Sequence, residues 1–152
     1  MTRLIIFDFD GTIGNTRQNI VDTFHLTMRE RGLELRSDDE CASTIGLTLH
    51  QSFLSLYPSM SDAEAEECVA HYRRIFYENI EELTPLLFDG VKEALARLHA
   101  MGLKLTIASS RSSPSLLLFL KNMGISQYFS YVIGADNVPH HKPHPEPVLQ
   151  TL

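Results

Sequence analysis

The stretch Leu4-Ile5-Ile6-Phe7-Asp8-Phe9-Asp10-Gly11-Thr12 passes from four apolar residues straight into two acids and a glycine. Leu4 to Phe7 is short, continuously apolar and partly β-branched, the pattern of a strand buried on both faces in a parallel sheet. Asp8 and Asp10 stand at its carboxyl end, where doubly wound sheets bind their ligands. If the strand continues, residues two apart share a face and the two carboxylates converge. A converging pair offers hard oxygens to a divalent cation and can divide the tasks of nucleophile and proton carrier. Gly11 lets backbone approach a ligand closely.

Two further runs look like the first strand: Lys104-Leu105-Thr106-Ile107-Ala108 and Tyr131-Val132-Ile133-Gly134. Helical patterns lie before and between them. Val91, Leu95, Leu98 and Met101 repeat at helix spacing, with Asp89 as the expected N-cap and Gly102 closing the helix. Ser113-Pro114 opens another helix, because proline's missing N–H is no loss in the first turn. That helix carries Leu116, Leu117, Leu120 and Met123, and Gly124 ends it. Alternating strand and helix define an α/β layer fold.

Residues 15–85 read differently, with no good strand. Ile20, Phe24, Thr27 and Met28 form one amphipathic face, and Leu49, Phe53 and Leu56 form a second that stops at Pro58. A third helix starts at Ser61 or Asp62 and carries Cys68, Val69, Tyr72, Ile75 and Phe76. An insertion of about seventy residues is too long for an ordinary connection and reads as a helical lid. His25 and Tyr72 read as packing residues of that lid.

Composition narrows the function. The 152 residues are 43% hydrophobic and 21% charged, which excludes a disordered or collagen-like chain. Lys and Arg number 13 against 19 Asp and Glu, a net charge of −6, so no nucleic-acid partner is expected. No apolar run approaches the roughly 18 residues of a membrane span, and no membrane partner is expected. Cys41 and Cys68 form no close-spaced pair and read as reduced thiols. A cytoplasmic protein is the expectation.

Phe7-Asp8-Phe9-Asp10-Gly11-Thr12 resembles the first signature of the haloacid dehalogenase superfamily, most of whose members are phosphatases. Ser109, right after the second strand, is similar to the family's second motif, a hydroxyl that grips the transferring phosphate. Lys142, in His140-His141-Lys142-Pro143-His144-Pro145, is similar to the third. Alone, Ser109 would read as a turn or capping serine, Lys142 as a solvated loop lysine, and the histidines as a rigid proline-rich loop presenting Lys142. The resemblance spans the chain and looks closest to the phosphoglycolate phosphatase and β-phosphoglucomutase branch. It implies a Rossmann-like parallel core, residues 1–14 and 86–152, with an α-helical cap, residues 15–85.

The resemblance also implies roles. Asp8 would attack phosphorus and form an aspartyl-phosphate. Asp10 would protonate the leaving oxygen and then activate water. Thr12 would orient Asp10. Gly11, Ser109, Ser110 and Lys142 would hold the phosphate, the serines at a helix-start anion corner, with Lys142 neutralising charge. Mg²⁺ would bind the Asp8 carboxylate and the Asp10 backbone carbonyl.

Two departures from the family pattern matter. Asn15 stands where many relatives carry an acid, and is expected to cap the helix that follows. The fourth motif, which supplies further acids to the Mg²⁺ shell, is missing: after Lys142 only Glu146 is acidic. The chain therefore reads as a fragment or as a natural truncation, with a core incomplete at its C-terminus. An exposed sheet edge and self-association through it are expected. The leading function is an Mg²⁺-dependent phosphatase acting on a small phosphorylated metabolite, phosphoglycolate-like. The alternatives are a phosphosugar mutase and a catalytically silent fragment or binding module.

Overall fold

In the computed structural model, which describes residues Met1–Leu152, β1 (Leu4–Phe7) and a two-residue strand β2 (Gly14–Asn15) precede five helices. These are α1 (Arg17–Arg31), α2 (Asp38–Ala42), α3 (Leu49–Leu56), α4 (Asp62–Glu78) and α5 (Ile80–Leu83). The chain then forms β3 (Leu86–Leu87), α6 (Val91–Ala100), β4 (Lys104–Ala108), α7 (Ser113–Asn122), β5 (Phe129–Ile133) and α8 (Glu146–Leu149). It divides into two units: Met1–Asn15 with Pro85–Leu152, and Thr16–Thr84.

The first unit is the α/β core. Its sheet has the order β1-β4-β5, and both pairings are parallel. Leu4 faces Lys104 and Phe7 faces Ile107, while Ala108 faces Ile133 on the other side. Parallel neighbours require crossover connections, which the intervening helices supply. Because all three strands point the same way, the residues after Phe7, Ala108 and Ile133 emerge at one edge of the sheet. That edge is the conventional ligand-binding position of such a sheet.

Burial corrects one expectation. β1 was expected to be buried on both faces, yet all four of its residues are only half-buried. The enclosed strand is β4, buried from Leu105 to Ala108, with Leu105 and Ile107 showing no exposed surface. The reason is position: β4 lies in the middle, whereas β1 has β4 on one side and no other strand of this sheet beyond it. The core continues into the loop after β1, where Phe9 is wholly buried and stacks on Phe119 of α7 with ring centroids 6.0 Å apart.

Three boundaries differ from the sequence reading. α6 is capped by Gly90, in the left-handed conformation, and not by Asp89. β5 begins at Phe129, two residues before the apolar run became recognisable. Asn15 does not cap α1: it pairs with Leu86 in the antiparallel β2–β3 ribbon, and Thr16 holds the N-cap position without a side-chain bond.

The second unit, Thr16–Thr84, is wholly helical apart from its loops. Its core is an aromatic cluster. Phe24 lies 5.3 Å from Phe53 and 5.0 Å from Tyr72, ring centroid to centroid, so the three long helices α1, α3 and α4 meet through these side chains. Tyr72 is thus a packing residue, and His25 bonds the Arg36 carbonyl through Nε2 at 2.8 Å. Ser37, Thr48 and Ser61 each close a capping box at the start of α2, α3 and α4. α2 and α5, of five and four residues, are too short to show a period. Cys41 and Cys68 are buried free thiols in this unit, and burial pushes the Cys41 thiol up to about 11.

Candidate active site

At the carboxyl edge of the sheet, the chain leaves β1 in a tight turn. The amides of Thr12, Ile13 and Gly14 all donate to the Phe9 carbonyl, and Gly11 N–H donates to Gly14 O at 2.9 Å. Gly11 sits at φ +77°, a conformation that favours a residue without Cβ. The turn has two consequences for the expected site. The Gly11 amide is already committed within the turn, so Gly11 shapes the loop and does not offer that N–H to a phosphate. The strand also ends before the acids, so the two carboxylates do not share one partner.

Asp8 is held by Lys142. Lys142 Nζ donates to Asp8 Oδ1 at 2.8 Å and to the Ala108 carbonyl, at the end of β4, at 3.2 Å. The lysine reaches across 134 positions of sequence, from the loop after β5. The two side chains keep 29% and 42% of their surface exposed, so this pair is open to an incoming molecule.

Asp10 is held by Arg111. Arg111 Nη2 donates to Asp10 Oδ1 at 2.8 Å, and Nε reaches both carboxylate oxygens at 3.3 Å. These side chains are only 12% and 13% exposed. The guanidinium also lies over the Phe119 ring, 4.9 Å from its centroid. The sequence reading did not single out Arg111. The visible signal was a cation two residues after Ser109 in a strand-end loop. Its partner lies 101 positions away, where no local pattern reaches. Thr12, expected to orient Asp10, is exposed and makes no such bond. The group that holds the Asp10 carboxylate is the Arg111 guanidinium.

Ser109 is 3% exposed at the end of β4. Its amide donates to Ile133 O at 3.0 Å, and its Oγ accepts from the Arg111 amide at 3.1 Å. The hydroxyl proton is left to donate. Ser110 Oγ beside it is buried without a hydrogen-bond partner. An orphaned buried hydroxyl is costly unless a ligand or water satisfies it. The loop holding these serines is anchored to the loop after β5. Ala135 N–H donates to Arg111 O at 2.9 Å, and Asp136 accepts from the Ser113 amide at 2.6 Å and hydroxyl at 2.5 Å. Gly134 makes this possible: a Cβ there would stand 2.4 Å from Ser113 N and 2.7 Å from Arg111 O. Asp136 and Gly134 are further residues that only the packed structure reveals.

The residues present fit a divalent cation at Asp8. Lys142 takes Oδ1, the second carboxylate oxygen stays outside that bond, and the side chain is open to solvent. The Asp10 carboxylate is taken by Arg111, which leaves its backbone carbonyl as the oxygen that residue could add. Glu146 is occupied at 2.6 Å by His140 Nδ1, in a cluster with His144.

The aspartate–lysine pair, the buried serine and the paired aspartate stand together at the carboxyl edge of a Rossmann-like parallel sheet, with a carboxylate at the centre of the site. The chain belongs to the haloacid dehalogenase-like hydrolase family, whose sequence pattern matches residues 5–152. It is 36% identical over 148 residues to "Probable phosphatase IndB" of Dickeya dadantii, a match covering 96% of this chain and 64% of that protein. It is 33% identical over 149 residues to pyrophosphatase PpaX of Listeria monocytogenes serotype 4a, covering 97% and 66%. The chain therefore spans about two thirds of the length of these curated relatives. The crystal structure of a haloacid dehalogenase-like hydrolase from Bacteroides fragilis superposes with a TM-score of 0.92 at 28% identity, over 99% of this chain and 71% of that one. No helix is long and apolar enough to cross a membrane.

Proposed function

We propose that the chain carries the site of a phosphatase for a small phosphorylated metabolite, phosphoglycolate-like, working through an aspartyl-phosphate on Asp8. The observation that carries this reading is the Asp8–Lys142 pair: a carboxylate held beside an ammonium, exposed enough to meet a substrate.

Each residue has a task that its position permits. An Asp8 oxygen forms a bond to phosphorus as the bond to the leaving oxygen breaks. The electron pair goes to that oxygen, which takes a proton from Asp10. Water then attacks phosphorus and gives a proton to Asp10, the bond to Asp8 breaks, and phosphate leaves. Ser109 and Ser110 would donate their hydroxyls to phosphoryl oxygens, and Lys142 would offset the charge gathered there. Mg²⁺, held by the Asp8 carboxylate and the Asp10 carbonyl, would reduce the repulsion between carboxylate and phosphate when bound. Thr16–Thr84 is proposed as the substrate cap. Self-association is proposed through the edge of β1 away from β4.

The test of the site is Asp8→Asn. It should abolish hydrolysis of phosphate esters, and beryllium fluoride, an acyl-phosphate mimic, should bind the unmodified chain at Asp8 and not the variant. Near-normal hydrolysis by Asp8→Asn would rule out the covalent route. A chain that binds beryllium fluoride but turns over no ester would support the reading of a silent binding module. Self-association is checked by light scattering, and a monomer at all concentrations refutes it.

A further inference from the structure

The loop that delivers Lys142 carries a second cluster of metal-ligating side chains, one that does not include Asp8. His140, His144 and Glu146 each bring a ligand atom to within 4.8 Å of the others. Both rings turn Nδ1 towards Glu146: His140 Nδ1 lies 2.6 Å from its Oε2, and His144 Nδ1 accepts its amide N–H at 3.2 Å. The rings stack with centroids 4.6 Å apart and planes 26° from parallel. Two imidazolium cations would repel at that spacing, whereas two neutral imidazoles and a carboxylate present lone pairs to a common region. The backbone beneath them is already set. Pro143, Pro145 and Pro147 fix φ at alternate positions, His144 N–H donates to His141 O at 2.9 Å, and Glu146 opens α8. Little chain entropy therefore remains to be lost when a ligand draws the three side chains together. The His140 side chain is 63% exposed and that of Glu146 22%, so an ion can reach the cluster from solvent.

We infer that His140, His144 and Glu146 form a site for one transition-metal cation of the zinc type, with water completing its shell. Imidazole nitrogen suits zinc, nickel and copper, while carboxylate, carbonyl and water oxygen suit magnesium. Two histidines and a glutamate are a set that zinc accepts with its fourth position left to water. Bonds of about 2.0–2.1 Å put the ligand atoms about 3.4 Å apart, so the exposed rings close inward on the ion. The ion takes the place of the hydrogen that now joins His140 to Glu146. His140 and His144 stand two residues to either side of Lys142, whose Nζ holds Asp8 Oδ1 and Ala108 O. A cation bridging them closes residues 140–146 into a ring and fixes the backbone that presents the lysine. The site is a clamp on the Lys142 loop, and it stands whether or not the chain hydrolyses phosphate esters.

The test is titration calorimetry of the full chain with Zn²⁺ in an excess of Mg²⁺, which fills oxygen-ligand sites such as the one proposed at Asp8. One zinc should bind per chain and shift the thermal unfolding midpoint upward. His140→Ala and His144→Ala should each weaken binding by at least about tenfold, since losing even a residue that only supports a ligand costs about 10–100-fold. Glu146→Gln keeps the shape of the side chain, removes the charge and should weaken binding likewise. Asp8→Asn and His50→Ala should leave zinc binding unchanged. His50 is the rival site to exclude, because it stands 3.1 Å from Asp62 and 2.7 Å from Glu66. The inference is overturned if no zinc binds, if binding survives both His140→Ala and His144→Ala in folded chains, or if Asp8→Asn or His50→Ala abolishes it instead. Zinc that binds at these histidines without raising the unfolding midpoint of the parent would refute the clamp.

Discussion

In the helical unit, charged side chains serve the backbone and the surface; in the sheet unit, charged side chains are drawn together at the end of the strands. Glu64 turns back to the Ser61 amide to close a capping box, and Arg17 meets Asp39 where the side chains are 51% and 94% exposed. Asp10 and Arg111 meet with barely an eighth of either side chain exposed. Exposed pairs and caps contribute modest amounts to stability. Bringing two ions out of water is costly and often yields no net stability. The contrast teaches that the first unit's ionic pairs are better explained by what they bind than by what they hold up, whereas the second unit is held by its aromatic core.

The sharpest break of that contrast comes from pairing two substitutions. Asp8→Asn should lower phosphatase turnover by about a thousandfold or more while leaving the unfolding midpoint near that of the parent. Phe53→Ala should do the reverse at the level of folding. Phe53 has no exposed surface and touches both Phe24 and Tyr72, so its loss should cost about 3–5 kcal/mol in denaturant titration. If Asp8→Asn proves strongly destabilising and Phe53→Ala nearly neutral, the division of labour is wrong.

Gly134→Ala sits between these extremes. The added Cβ meets backbone, which cannot swing away as a side chain can. Stability should fall by about 1–3 kcal/mol, and phosphate affinity should fall with it because the Arg111–Ser113 segment must shift. Retained affinity with lowered stability would show that the two loops are coupled in folding only.

The smallest effect belongs to the caps. Ser61→Ala should cost about 1 kcal/mol and leave turnover unchanged. It should also alter the acid side of the stability profile. The Ser61 amide and hydroxyl hold the Glu64 carboxyl below its ordinary value of 4.5, and Ser37 does the same for Glu40. A carboxyl depressed in the folded state adds stability above its unfolded value, and that contribution is lost as pH falls through the folded one. Unfolding midpoints from neutral into acid should therefore fall less steeply in Ser61→Ala than in the parent.

Much of the fold was legible because its signals are local. Leu4 to Phe7 and Lys104 to Ala108 announce strands by apolar runs, and the faces of α1, α3 and α4 appear as helical periods. Asp8, Ser109 and Lys142 were legible because each ends or follows such a run and matches a family motif. α2 and the β2–β3 ribbon were not, since five residues or two carry no period. Gly90 replaced Asp89 as the cap of α6 because the path of the chain into that helix requires a left-handed residue.

By itself, the sequence determined the order of strands and helices, the long helical insertion and the acids at the first strand's end, for periodicity and composition are properties of neighbours along the chain. Tertiary structure alone decided that β4 is the enclosed strand, that Arg111 and not Thr12 holds Asp10, and that Asp136 fastens the start of α7. Those choices depend on which side chains meet across 101 positions in one case and 23 in another. A charge finds its partner by distance in space, and sequence spacing carries no measure of that until the sheet has formed.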